Sequence, residues 1–483
     1  MTTSPKTAPV SRLRRLFSAA SGDADAEHSQ RRYRRAALTG ATASISKVIS
    51  LGTSIITVRL TFQYLGAERY GMWMTISSFV MLLAFADFGM SNGLINLVAE
   101  ALGKEDRQTA SRAAASAFWM LSGVATFFAV IVIAAYPFID ASRLFNVHSA
   151  TARHEAGPAL LAFMLCFILN LPLGTVRGTQ TGMQNAYHSN LWNIFGTALS
   201  LAALLIAIHA HAGLPVLVLC LSGPPVVAAL LNGVELFGRS NPDLLPAPSR
   251  FSSETARRLL GMGAMFFLLQ LSFSIGLQTD NIVIAQVLGA KAVAEYAVPA
   301  RLFSMILGFL VMVSGAMAPA YTDALARRDG PWIRRGFLRV TIGGTAITIV
   351  VVVLLILFGN AILRLWVGPQ IHTAPALMIA FAVQSVLYAY LQPVSFLLNG
   401  IGRFKEQVIS GLVMAVVNLG LSIVLVRSFG IIGAVLGTIL ALILVQVAPL
   451  SVVVRRELRR LGDLPADADL EPAGLASRAT HSV

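Results

Sequence analysis

The sequence predicts an all-α polytopic membrane protein, with twelve transmembrane helices in two six-helix halves related by a pseudo-two-fold axis along the membrane normal. Three observations lead there. The 483 residues are 56% hydrophobic and 12% charged, with a mean hydropathy of +0.71, whereas a water-soluble domain carries about a quarter charged residues. With about 20 apolar residues per crossing as the ruler, the chain divides into six segments, a polar linker and six more. The turn Gln63-Tyr64-Leu65-Gly66-Ala67 returns as Gln286-Val287-Leu288-Gly289-Ala290, each time between the first two segments of a half, which marks a parallel repeat.

Residues 1–42 are polar and basic and lack the apolar core of a signal peptide, so they are expected to form a disordered cytoplasmic tail. Its end, Arg31-Arg32-Tyr33-Arg34-Arg35, suits anionic headgroups at about 1 kcal/mol per basic residue, and serves equally as a plain topogenic signal. The N-terminal half, 43–234, has spans near Ala43–Phe62, Gly71–Leu97, Ala113–Ala135, Ala159–Val176, Leu191–Ala210 and Leu214–Val234. A cytoplasmic linker follows over 235–258. The second half, 259–454, has spans near Leu259–Gln278, Val298–Ala320, Val340–Phe358, Ala374–Leu397, Val408–Val426 and Ile431–Val453, and 455–483 is a cytoplasmic tail. With the N-terminus inside, 28 of the 37 Lys and Arg residues fall on the inner side, 6 on the outer side and 3 within spans. A missed or invented span would scramble that bias. Further signs of the repeat are Gly182-Met183-Gln184 against Gly400-Ile401-Gly402, and Pro172 and Pro393 within the spans that precede them.

The basic residues lie between apolar segments rather than on one patch, so membrane topology and not nucleic acid accounts for the net charge of +14. Cys166 and Cys220 lie in apolar runs without metal-ligand spacing. The chain has no phosphate-binding Gly-rich loop followed by Lys-Ser/Thr and no His/Cys/carboxylate cluster. No metal, no cofactor and no enzymatic activity are therefore expected.

Around the second segment and the later turn, the runs YLGAERYGMW, ADFGMSNGL (Ala86–Leu94) and TDNIVIAQVLGAKAVAEYAVPARL (Thr279–Leu302), together with the twelve-span layout, resemble the polysaccharide flippases of the multidrug/oligosaccharidyl-lipid/polysaccharide exporter superfamily. The resemblance covers roughly residues 43–453, and its motifs are structural more than chemical. It implies alternating-access export of undecaprenyl-diphosphate-linked oligosaccharide across a bacterial inner membrane, for O-antigen or exopolysaccharide assembly, with membrane lipids as surroundings and a polysaccharide polymerase and glycosyltransferases as protein partners.

Charges inside spans cost about 2.5–3.5 kcal/mol each at a lipid-facing position, so they are expected to face protein or a wet cleft. Lys47 begins a stripe with Ser50, Ser54, Thr57 and Thr61 at spacings of three and four, which places them on one helical face. Asp87 lies within reach of Lys47 by span depth. The two form either a structural pair or a contact to diphosphate with a proton-accepting partner. Arg59 is off the stripe near the outer end of its span, where it snorkels or binds substrate. Arg301, near the outer end of the eighth span, is the foremost substrate-binding candidate, and Asp280 on the seventh is expected to approach it. The resemblance adds that lipid-diphosphate flippases use cavity arginines on their first and eighth spans. Gln270, Ser274, Gln278 and Asn281 line one face of the seventh span, and Gln384, Tyr388, Gln392, Ser395 and Asn399 line the tenth. Amides and hydroxyls bind sugar hydroxyls and tyrosine a sugar face; they also serve as interhelical hydrogen bonds. A proton or sodium gradient acting through Asp87 or Asp280 is the expected energy source. The alternatives are a drug or cation antiporter of the same superfamily, a membrane-embedded glycan polymerase, and a non-transporting assembly partner.

Overall fold

In a bilayer every backbone N–H and C=O must find its partner inside the chain, which leaves helices as the spanning element for so apolar a sequence. The computed structural model of the protein describes residues 23–315, 317–368 and 373–462, and these are helical between short turns. Among the described residues ten helices are long and apolar enough to cross a membrane. The first of them holds two crossings, broken at Gly66, where the backbone leaves helical geometry (φ 73°, ψ 174°). With the 36-residue helix Ser253–Leu288 as the seventh crossing, the total is twelve.

The first crossing is the arm of Asp23–Leu82 before Gly66; the second is the arm after it, continued by Met90–Gly103. Arg107–Ala135, Ala150–Gly182, Ala186–His209 and Leu214–Glu235 complete the N-terminal half. After Ser253–Leu288 come the eighth crossing, described over Ala290–Gly315 and Met317–Ala326, then Gly330–Trp366, Pro375–Gly400 and Phe404–Phe429. The twelfth runs from Ile431 to Gly462 through a π-helical turn, Leu442–Val447. Residues 23–42, expected in a disordered tail, instead extend the first helix; residues 1–22 and 463–483 lie outside the described residues. The linker is likewise docked rather than loose. Arg107 pairs with Asp243 at 2.7 Å, Trp119 Nε1 donates to the Pro246 carbonyl at 3.0 Å, and the Ser252 amide donates to Ser116 Oγ at 3.1 Å.

Backbone geometry shows the repeat more fully than sequence does. Residues with positive φ recur as Gly66 and Gly289, Glu105 and Arg328, Asn146 and Gly368, Gln184 and Gly402, and His211 and Gly430, each pair 218 to 223 residues apart. After the second pair, Asp106 caps the third crossing through the Thr109 amide and Asp329 caps the ninth through the Trp332 amide, each at 2.9 Å. Phe88 and Gly89, both left-handed, have no positive-φ counterpart among the described residues, and they break the second crossing.

Two close seams join the halves. At the end carrying the Gly66 and Gly289 turns, Gly71 lies directly against the Ala290 backbone. There too, Asn146 Nδ2 donates to the carbonyls of Ala285 and Gln286 at 3.2 and 3.4 Å, and Gln286 reaches the Leu144 carbonyl. Toward the termini, Gly89 and Gly93 of the second crossing meet Gly263 and Leu259 of the seventh, backbone to backbone, with Phe88 stacked on Phe267 (centroids 5.5 Å apart). A Cβ added at Gly263 would sit 2.8 Å from the Phe88 carbonyl oxygen, whereas one at Gly261 meets nothing within 4 Å. Gly263→Val is therefore expected to destabilise the protein by about 1–3 kcal/mol, read as earlier thermal unfolding in detergent, whereas Gly261→Ala, at an open helical position, should not lower the unfolding temperature.

The loop of the turn-side seam has its own cap. Asp140 accepts from the Ser142 hydroxyl at 2.6 Å and from the Arg143 and Ser142 amides at 3.3 and 3.1 Å, starting the helix Ala141–Leu144. The Ser142 hydroxyl first, then the Arg143 amide, hold this carboxyl below its usual 3.8. A carboxyl lowered by folding adds stability above its unfolded value and loses it as pH falls through the folded value. Protection of the Ala141–Asn146 amides, corrected for intrinsic exchange rates, should therefore fall in wild type only below pH 3.8, and be lower in Asp140→Ala above that pH, the two proteins converging in stronger acid.

Candidate functional site

Between the two seams lies a cavity of about 290 Å³, lined by the first, second, seventh and eighth crossings. Ser54, Thr57 and Thr61 of the predicted stripe face it, opposite Gln278, Asn281 and Arg301. The spacing of three and four on the first crossing brings those hydroxyls to one wall. Arg301 is held out from the eighth crossing by two bonds to a single atom, with Nε and Nη2 donating to Ser54 Oγ at 3.0 and 2.7 Å. This contact ties the first crossing to the eighth. Asn281 Nδ2 donates to Ser78 Oγ at 2.8 Å, while Asn281 Oδ1 and Thr57 Oγ1 are buried without a partner among the described residues. A buried orphan of this kind costs about 1–3 kcal/mol, which a ligand group or water in the cavity relieves. Arg301 is the sole charged side chain among the described lining residues. One guanidinium among hydroxyls and amides, with five donors and no facing carboxylate, is a receptor for an anion.

The other predicted charges sort differently. Lys47 is exposed, seven residues before Ser54 on the same face, about 10 Å toward the termini at 1.5 Å per residue, and is not among the described cavity-lining residues. Beyond the Arg301–Ser54 bridge the eighth crossing exposes Phe309, Val311, Met312 and Val313. The expected Lys47–Asp87 pair is not formed. Asp87 turns back on its own chain, accepting from the Gly89 amide at 2.9 Å and from Ser91, and so caps Met90–Gly103 at the break in the second crossing. Backbone donors two residues away cost less ordering than a long lysine from another helix.

Arg59 lies away from the cavity. Its Nη1 donates to the Leu365 carbonyl at 3.4 Å, beside bonds from Gln63 Nε2 to Val367 O (3.2 Å) and from Trp366 Nε1 to Ile55 O (2.7 Å). It serves the orphan carbonyls at the C-terminus of the ninth crossing, where a cation is favoured. Gln270 is half-buried and engaged with a neighbour, and is not among the cavity-lining residues.

Asp280 does not meet Arg301 either. Its Oδ2 accepts from Tyr296 OH at 2.9 Å and Thr438 Oγ1 at 3.2 Å, and its Oδ1 from Ser422 Oγ at 3.2 Å. Asn418 Oδ1 lies 3.3 Å from the Ser422 hydroxyl and 3.0 Å from that of Thr438. All of this is buried in the C-terminal half. Each hydroxyl has one proton, so Ser422 and Thr438 each serve either Asp280 or Asn418, and with Tyr296 the three hydroxyls match the three oxygens one to one. No cationic side chain bonds Asp280 among the described residues.

A second cavity, of about 310 Å³, opens inside the C-terminal half among the seventh, eighth, tenth, eleventh and twelfth crossings. Tyr388, Gln392, Ser395 and Asn399 line it, and Gln384 is hydrogen-bonded to Tyr388. The sequence stripes on the seventh and tenth spans thus serve two chambers and not one cleft. Gly276 faces the second chamber while Gln278 and Asn281 face the first, 200° and 140° around the helix at 100° per residue. Tyr70, Trp73, Ser77 and Ser78 of the first chamber, and Asn418, Ser422 and Thr438 of the acidic cluster, were not singled out from sequence. Their signal, polar residues three or four apart, is diluted by the apolar residues between them.

Truncating Asp280 to Ala removes the acceptor of three hydroxyls and is expected to destabilise the protein by about 1–3 kcal/mol, measured by thermal unfolding in detergent. Asp280→Asn, which retains one acceptor, should cost less.

The model of a family described as "Polysaccharide biosynthesis protein" matches residues 38–324, and that of the MatE family matches 266–424. A Salmonella typhi protein named "Putative O-antigen transporter" is 21% identical over 320 residues, covering 65% of this chain and 71% of that protein. Among solved structures, an inward-facing multidrug resistance MATE transporter superposes with a TM-score of 0.74 at 18% identity, covering 86% of this chain and 95% of the other. An outward-facing one reaches 0.60 at 17%, covering 88% and 96%. The lipid II flippase MurJ in an inward closed conformation reaches 0.68 at 15%, covering 88% and 89%. These likenesses establish the fold of the multidrug/oligosaccharidyl-lipid/polysaccharide exporter superfamily.

Proposed function

The chain belongs to the polysaccharide biosynthesis protein family, and from that membership we propose that it is a flippase for undecaprenyl-diphosphate-linked oligosaccharide, working by alternating access in a bacterial inner membrane with both termini cytoplasmic. The observation that carries this reading is the unneutralised Arg301 in a polar cavity between the halves, with Lys47 exposed on the same face of the first crossing toward the termini. A diphosphate matches such a site. The substrate enters between the halves from the cytoplasmic side while its polyprenyl chain stays in lipid, and the cavity then reopens outward. The chain moves its cargo without chemical change, serving O-antigen or exopolysaccharide biosynthesis beside the polymerase and glycosyltransferases that make and use it. The relative named as an O-antigen transporter and the lipid II flippase fold support this reading.

Direction comes from a proton or sodium ion taken up at Asp280, a buried carboxylate whose bonds come from neutral hydroxyls and which therefore favours a cation. Asp87, spent on a local cap, is set aside for this role. The second reading is a drug or cation antiporter, which the MatE match favours. A cationic substrate would meet Arg301 with no carboxylate among the described lining residues to offset it.

In proteoliposomes given fluorescent undecaprenyl-diphosphate oligosaccharide, Arg301→Ala is expected to slow translocation at least about tenfold, equivalent to about 1.4 kcal/mol. Lys47→Ala should slow it by a smaller factor and Arg59→Ala should leave it near wild type. Wild-type rates in both Arg301→Ala and Lys47→Ala would reject the site, and efflux of cationic dyes without lipid transfer would favour the antiporter. Asp280→Asn should abolish the response to an imposed gradient; a wild-type rate that persists after both gradients are collapsed removes the coupling.

A further inference from the structure

We propose that the cavity inside the C-terminal half is a second, neutral subsite that holds the sugar adjoining the diphosphate, so that charge and glycan are recognised in separate chambers. This rests on the flippase reading above and goes beyond it. The chamber is lined by four carboxamides, Gln392, Asn399, Gln407 and Gln446, beside Tyr388 and Phe396, and no charged side chain is among its described lining residues. A carboxamide offers donors and an acceptor side by side, the pattern that paired sugar hydroxyls require, and aromatic faces suit the apolar face of a pyranose. A purely apolar ligand such as an acyl chain would leave those amides unmatched at about 1–3 kcal/mol each.

Two local features point to a ligand. Asn399 Oδ1 is buried without a hydrogen-bond partner among the described residues. Gln446 belongs to the π-helical turn Leu442–Val447, a departure from regular helix that frequently accompanies functional sites. The volume of about 310 Å³ lies at the small end of ligand pockets, about 300–1,000 Å³, which fits one or two sugar rings and excludes a long glycan. The two chambers share the seventh and eighth crossings as walls. Along the eighth, Arg301 and Leu307 are six residues, or about 9 Å, apart. The wall of the amide-lined chamber contributed by the eighth crossing thus begins about 9 Å along that helix from Arg301.

The test measures affinity of the full-length protein in nanodiscs for bare undecaprenyl diphosphate and for a panel of undecaprenyl-diphosphate monosaccharides carrying glucose, galactose or N-acetylglucosamine. At least one glycolipid is expected to bind about tenfold tighter than the bare lipid, and Gln392→Leu or Gln446→Leu should reduce that gain to less than about twofold. Arg301→Ala should weaken bare and glycosylated lipids by the same factor. As a readout independent of those variants, Ser410→Cys, which also lines the chamber, should be protected from maleimide by the glycolipid and not by the bare lipid. A glycan gain that survives both leucine variants, equal losses on bare and glycosylated lipid, or no gain from any of the three sugars overturns the subsite. Failure of the wild type to bind even bare undecaprenyl diphosphate overturns the flippase reading itself.

Discussion

The arrangement depends on two places where the halves touch without side chains between them. Gly71 against Ala290 closes one end, and Gly89 and Gly93 against Gly263 and Leu259 close the other. Backbones approach so closely only where small residues stand at the crossing, the usual means of helix association in lipid. The seams hold the second crossing against the seventh and eighth, and the polar cavity is the space left between them. On its far side the first and eighth crossings are joined by one side-chain bridge, Arg301 to Ser54. That wall is the weaker one, since two hydrogen bonds bind less firmly than a close-packed backbone seam.

Charge inside the bundle follows the same economy of contacts. Asp87 and Asp280 are both carboxylates within crossings, and Arg59 and Arg301 are both arginines near the same end of theirs. Asp87 is satisfied by its own backbone turn and Arg59 by a helix terminus. Asp280 draws on three hydroxyls from the eighth, eleventh and twelfth crossings, two of which also reach the Asn418 amide oxygen. Arg301 has a single hydroxyl. The first two are therefore spent on the fold, whereas Asp280 keeps an unmatched charge and Arg301 unmet bonding capacity. In a low-dielectric interior, unmet capacity marks the positions suited to a mobile ion or ligand.

The halves share a plan but not a role. Five pairs of positive-φ positions repeat along the chain, so turns and caps were duplicated closely. The left-handed break at Phe88 and Gly89 lies in the second crossing, while the Asp280 cluster and the amide-lined chamber occupy the C-terminal half. A duplicated frame with unlike interiors divides one transport task between rigid support and recognition.

The sequence by itself determined the membrane class, the twelve crossings, the division at the linker and the turn that repeats, because hydropathy over about 20 residues is a local property that lipid reads directly. It also placed Ser54, Thr57, Thr61, Gln278 and Arg301 on faces that do meet in one cavity. Tertiary structure alone decided the pairings. Depth along a span brought Lys47 near Asp87 and Arg301 near Asp280 on paper, yet none of the four bonds its expected partner. Periodicity gives the face a residue occupies but not which helix lies opposite, and the seventh crossing presents different faces to two chambers. Hydrogen bonds act over about 3 Å, and at that range only the packing of helices far apart in sequence determines which polar groups meet.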